Sequence, residues 1–79
     1  MMRMLVTGAN GLLGQKLVEL LQGDATVFPI ATARRPLAFT QTRGTFMKMD
    51  VANREEVESV LRTSKPEVII HTAAMTQVD

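Results

Sequence analysis

Three glycines, Gly8, Gly11 and Gly14, are spaced three residues apart within Val6-Thr7-Gly8-Ala9-Asn10-Gly11-Leu12-Leu13-Gly14. Glycines so placed can hold a pyrophosphate without any charged side chain. The first permits a tight bend, the second lets the backbone approach the phosphates, and the third lets the next helix pack closely on the strand. That helix points its free N–H groups and the positive end of its dipole at the same anion. Gly8, Asn10, Gly11, Leu12, Leu13 and Gly14 are the candidate contacts. A glycine-rich turn with no ligand is the plainer use of such a pattern, and the context argues against it. An apolar run, Met4-Leu5-Val6, precedes the turn as a buried parallel strand would, and a helical pattern follows it.

A second feature lies further on, at Ala33-Arg34-Arg35-Pro36. A dinucleotide site that prefers NAD places an Asp or Glu about 20 residues past the glycines, where it bonds the ribose hydroxyls. Counting without gaps puts Thr32 at or near that position, and no Asp or Glu occurs between Asp24 and Asp50. Arg34 and Arg35 stand just beyond it, where guanidinium groups could fork onto a 2′-phosphate. NADP is therefore the expected cofactor, with NAD as the alternative. The spacing does not separate the two arginines, whose plainer use is to solvate a loop.

Other chemistries find little support. The chain has one histidine, His71, and no cysteine, tyrosine or tryptophan. Disulfides, Cys-ligated zinc and thiol catalysis are excluded. His71 has no second His and no paired acid near it in sequence, so it reads as a structural residue at a strand end, and no metal ligands or catalytic residues are assigned.

The elements that must position these residues follow a regular alternation. Leu13, Leu17, Leu20 and Leu21 recur at helical spacing and should face a sheet, with Gly23 as a natural C′ residue. Residues 26–32 form a second apolar run, in which Pro29 suggests a bulge or irregular edge. A polar connection follows, whose Phe39 could tuck under the sheet, and Thr45 to Asp50 read as a third strand. Asn53-Arg54-Glu55-Glu56 has the form of a capping box opening a second helix, which Lys65-Pro66 ends. Glu67-Val68-Ile69-Ile70-His71 is a β-branched fourth strand, expected to be buried, and the small residues after it would let a ligand pass close to the backbone. Strand–helix alternation implies a doubly wound parallel sheet, α/β in class, with helices on both faces and strand order 3-2-1-4.

With 79 residues the chain makes at most one small domain, and 46% hydrophobic with 22% charged residues fits a globular segment. A net charge of +1 gives no reason to expect nucleic acid or an anionic membrane as partner. No stretch is long enough to span a membrane and no signal peptide is evident, so a cytoplasmic location is expected.

The stretch Thr7 to Gly14 resembles the T-G-x-x-G-x-x-G signature of the extended short-chain dehydrogenases/reductases, which act largely on nucleotide sugars. Pro66 to Asp79 resembles the "RPDVVIHTAAYTNVD" stretch of the dTDP-4-dehydrorhamnose reductase family, down to its T-x-V-D ending. This resemblance implies a Rossmann-type fold and an NADP(H)-dependent reductase of a nucleotide-linked 4-keto sugar in dTDP-rhamnose formation. It implies that Asp50 and Val51 lie beside the adenine, and that Thr72, Ala73 and Ala74 lie beside the nicotinamide-side ribose. A turn or cap role for Asp50 is compatible with that. The family's catalytic Tyr-x-x-x-Lys has no counterpart here, since the chain lacks tyrosine. Residues 1–79 are thus expected to be the N-terminal part of a dinucleotide-binding domain, with the remaining strands and the substrate domain absent. A homodimer is an expected state of the intact enzyme. Rival functions are a sugar epimerase or dehydratase, and a non-catalytic regulatory subunit of the methionine adenosyltransferase type. The fourth strand is expected to present an unpaired apolar edge.

Overall fold

The computed structural model describes residues 1–72. In chain order it contains β1 (Met2–Thr7), α1 (Leu12–Gln22), β2 (Val27–Ala33), β3 (Thr45–Lys48), α2 (Arg54–Ser64) and β4 (Val68–His71). The strands pair in parallel in the order β3-β2-β1-β4, as expected. The chain builds from β1 through β2 to β3, then returns to lay β4 on the free side of β1. Its direction of growth therefore reverses between β1 and β4.

Alternation along each strand sends neighbouring side chains to opposite faces. Leu5 and Ile30 face one side and join Met49 and Val60, with Val57 and Leu61 of α2 packed against them. Val6 and Ala31 face the other side and join Ala9 and Val18, flanked by Leu17 and Leu21 of α1. The two helices therefore cover opposite faces. The connection from β2 to β3 has no helix; Leu37 and Phe39 pack there against the α1-side cluster instead. Arg43 ties the same connection down, donating to the carbonyls of Gln22 (2.8 Å), Asp24 (3.1 Å) and Val27 (2.6 Å).

Four local expectations need correction. The core face of α1 is not the predicted leucine stripe. Gly14 and Val18 are its buried residues, while Leu13 and Leu20 are 44% and 74% exposed. A Cβ at position 14 would lie 2.1 Å from the Gly8 carbonyl oxygen. The line through Gly14, Val18 and Leu21 is thus the one pressed inward, and Leu13 and Leu20 sit about 100–120° round the helix from Gly14. Gly23 closes α1 at φ −81°, not in the left-handed region of a C′ glycine; the N–H groups of Gly23 and Asp24 tighten the last turn onto Leu20 and Leu21.

Pro29 forms neither a bulge nor an irregular edge. It is buried inside β2, opposite Met4 in an unbroken register. β3 joins β2 only from Ile30 onward, and the Pro29 carbonyl points at the segment entering β3, where Gly44 crosses it at φ +87°. N–H and C=O of one residue point the same way in a parallel strand, so the missing donor falls where no ladder bond is required. β4 is only half buried, because it is the edge strand among the described residues; Ile69 is 52% exposed. The apolar edge expected of this strand is present there.

Two outcomes follow. Gly14→Ala must push α1 off the Gly8–Ala9 backbone and should destabilise the fold by roughly 1–3 kcal/mol; an unchanged urea midpoint would show that the contact yields freely. At the start of β2, the Asp24 carboxylate accepts from the Thr26 hydroxyl (2.6 Å) and amide (2.9 Å). These bonds, chiefly the hydroxyl's, hold its pKa below the ordinary value, with Arg43 adding to them. A depressed carboxyl stabilises the folded state above its unfolded pKa and loses that contribution as pH falls through the folded one. Asp24→Asn should therefore flatten the decline in thermal stability below about pH 4, whereas parallel curves for parent and variant would dismiss the effect.

Candidate functional site

The turn after β1 is rigid by construction. Gly8 takes φ +67°, a left-handed conformation that glycine adopts without strain. Ala9 is fully buried and its N–H donates to the Thr32 carbonyl (3.0 Å), while the Gly11 N–H closes back on the Gly8 carbonyl (3.0 Å). α1 then opens at Leu12 with no side-chain cap and no acid in its first turn. α2 opens differently: the Asn53 side chain accepts from the Glu56 N–H, and Glu55 and Glu56 stand in its first turn. The protein thus satisfies the donors of one helix start and leaves those of the other uncapped.

A cavity of about 460 Å³ lies at the carboxyl ends of three strands, a size within the roughly 300–1,000 Å³ of small-molecule sites. Gly8, Asn10 and Gly11 line it from β1, Ala33, Arg34 and Arg35 from β2, and Met49, Asp50, Val51 and Ala52 from β3. Residues singled out from three distant stretches of sequence are therefore neighbours in space. Arg34 and Arg35 are exposed, and neither guanidinium is ion-paired or hydrogen-bonded among the described residues. Thr32 points away: it is fully buried and its hydroxyl donates to the Val6 carbonyl (2.8 Å). The strand-end residue that reaches the cavity is Ala33.

Asp50 is held at the cavity by its own turn. Its Oδ1 accepts from the Ala52 N–H (2.9 Å), and its N–H donates to Glu56 Oε1 (2.9 Å). Glu56 is thus not the partner of the Asn53 N–H that a capping box predicts. The Asn53 N–H bonds the Asp50 carbonyl, and the Glu56 carboxylate reaches past it to Asp50. The turn role of Asp50 is realised with one carboxylate oxygen.

The other expected residues lie elsewhere. Gly14 supports the turn from beneath, and Leu12 and Leu13 face solvent, 81% and 44% exposed. Thr72 is fully buried under the turn, its hydroxyl donating to the Thr7 carbonyl and standing 3.3 Å from that of Gly8. Ala73, Ala74 and the T-x-V-D ending lie outside the described residues. His71 Nδ1 lies 2.6 Å from the Thr7 hydroxyl, joining the ends of β4 and β1. Among the described residues no three His, Cys, Asp or Glu side chains gather as a metal site, and no helix is long and apolar enough to cross a membrane.

Sequence reasoning missed how Asn10 is used. Its Nδ2 donates to the carbonyls of Pro36 (3.0 Å) and Arg35 (3.4 Å), and its Oδ1 accepts from the Ala38 N–H (2.7 Å). The only signal available was the residue type, since asparagine readily bonds backbone groups; its partners lie 25 to 28 residues away.

Known proteins place this geometry in context. The chain is 35% identical over its full length to a dTDP-4-dehydrorhamnose reductase of Aggregatibacter actinomycetemcomitans. It is 36% identical over 98% of its length to a GDP-6-deoxy-D-talose 4-dehydrogenase of the same organism. It spans about a quarter of the length of these relatives, 23% and 22% respectively. Among solved structures, L-threonine dehydrogenase of Clostridium difficile superposes with a TM-score of 0.73 at 28% identity, covering 90% of this chain and 23% of that one. dTDP-glucose 4,6-dehydratase of Bacillus anthracis, solved in complex with NAD, gives 0.72 at 25% identity, covering 90% of this chain and 26% of that one. The four-stranded sheet is the corresponding part of a Rossmann-type fold. The family described as the RmlD substrate binding domain matches residues 2–79, and the chain belongs to it.

Proposed function

We propose that the chain binds NADP(H), with NAD as the weaker alternative, and serves as the cofactor-binding part of a reductase acting on a nucleotide-linked 4-keto sugar. The observation that carries this reading is one cavity shared by the uncapped glycine turn and two unpaired arginines. The turn suits a pyrophosphate, since the first N–H groups of α1 carry no side-chain cap and its first turn holds no acidic residue. Arg34 and Arg35 suit a 2′-phosphate, and at the end of β2 the short Ala33 offers no carboxylate to a ribose. The free oxygen of Asp50 suits an exocyclic adenine amine, beside Val51. Thr72, with Ala73 and Ala74 after it, is assigned to the nicotinamide side by family resemblance alone.

The bound nicotinamide would supply hydride to a sugar carbonyl. With no tyrosine in the chain, these residues bind and orient the cofactor and do not donate the proton. The assignment to a sugar substrate rests on family membership and on the relatives' names. Residues 1–79 are accordingly read as the first part of a dinucleotide-binding domain.

Titration of the full chain with NADPH and NADH, followed by nicotinamide fluorescence, tests this directly. NADPH should bind more tightly than NADH. Gly11→Asp, adding bulk and negative charge at the phosphates, should abolish both, and Arg34→Ala/Arg35→Ala should bring NADPH down to the level of NADH. A folded chain, checked by circular dichroism, that binds neither nucleotide at about 1 mM, a concentration well above ordinary cofactor affinities, would overturn the reading.

A further inference from the structure

We infer that Asn10 is a positioning residue for phosphate discrimination: from inside the glycine turn it clamps the loop that carries Arg34 and Arg35. The inference rests on the reading of those arginines as 2′-phosphate ligands. The clamp is two-sided. Nδ2 donates to the Arg35 and Pro36 carbonyls and Oδ1 accepts from the Ala38 N–H, so one planar amide grips the segment on both sides of Pro36–Leu37. The Asn10 backbone is itself fixed, its carbonyl accepting from Gln15 Nε2 (2.9 Å) on α1.

The arginines need such help. Their side chains are exposed and have no ion-pair partner among the described residues, and the connection they begin contains no helix to hold it. Leu37 and Phe39 anchor that connection from below. Asn10 alone ties it to the phosphate-binding turn among the side-chain bonds of the described residues. The same residue lines the cavity, so its side chain ties the pyrophosphate site to the loop that bears the guanidinium pair. Aspartate could keep the bond to Ala38 but would lose both donors, and alanine would lose all three bonds.

Dissociation constants of NADPH and NADH, measured side by side for the parent, Asn10→Ala and Arg34→Ala/Arg35→Ala, test the inference. Asn10→Ala should lower the NADPH/NADH affinity ratio by about tenfold, the scale of one charge-assisted phosphate contact. Titration with 2′,5′-ADP against 5′-AMP should show the same loss without the nicotinamide. Exchange of the Ala38 amide should speed up in the variant while its melting temperature stays close to the parent's. Equal weakening of both nucleotides, or an unchanged ratio, would overturn the inference and leave Asn10 a support of the turn only. If the double arginine variant keeps the parental ratio, the arginine reading itself fails. A ratio lost in that variant but kept in Asn10→Ala refutes the clamp alone.

Discussion

One backbone contact sets the terms for everything at the top of the sheet. Gly14 of α1 lies against the carbonyl of Gly8 and the Cα of Ala9, closer than any side chain would allow. That approach seats Val18 in the core and turns Leu13 and Leu20 outward. It also holds the start of α1 directly over the end of β1, so its uncapped N–H groups and its dipole converge on one small region. Ala9, fully buried and bonded to Thr32, carries the same constraint across to β2.

The remaining walls of the cavity are built differently. The β2 and β3 sides are short irregular segments held by side-chain-to-backbone bonds: Asn10 on residues 35–38 and Glu56 on Asp50. A helix between β2 and β3 would have supplied its own bonds. In its absence, individual polar residues satisfy the backbone of that connection. Gln41 does so for three carbonyls with one amide nitrogen, though its Oε1 is left buried without a partner.

These two kinds of construction explain what could be seen in the sequence. Local signals were legible: the glycine spacing, the Asn53 cap, the apolar runs and hence the strand order. So was the convergence of Gly8, Gly11, Arg34, Arg35 and Asp50, because a parallel sheet brings all strand ends to one side. Signals that depend on a distant partner were not. The leucine stripe of α1 contained more apolar residues than one face could bury, and only the Gly14 contact chose among them. Pro29 breaks a rule for central strands unless β3 is known to join one residue later. The partners of Asn10 and Glu56 depended on where loops come to rest after folding.

Pro29 also acts as a register lock. It is accommodated in the observed setting of β3 against β2, in which Ile30 meets Thr45 and Ala33 meets Lys48. Sliding β3 one residue toward the start of β2 would demand a hydrogen bond from a nitrogen that has none. A slip of one residue either way would also exchange the faces of Phe46 and Met47, which belong to opposite cores. The residues that follow β3, Met49 to Ala52, would then leave the cavity. A ring with no N–H, buried away from the cavity, thereby joins Phe46 and Met47 in fixing which side chains stand at the mouth of the site.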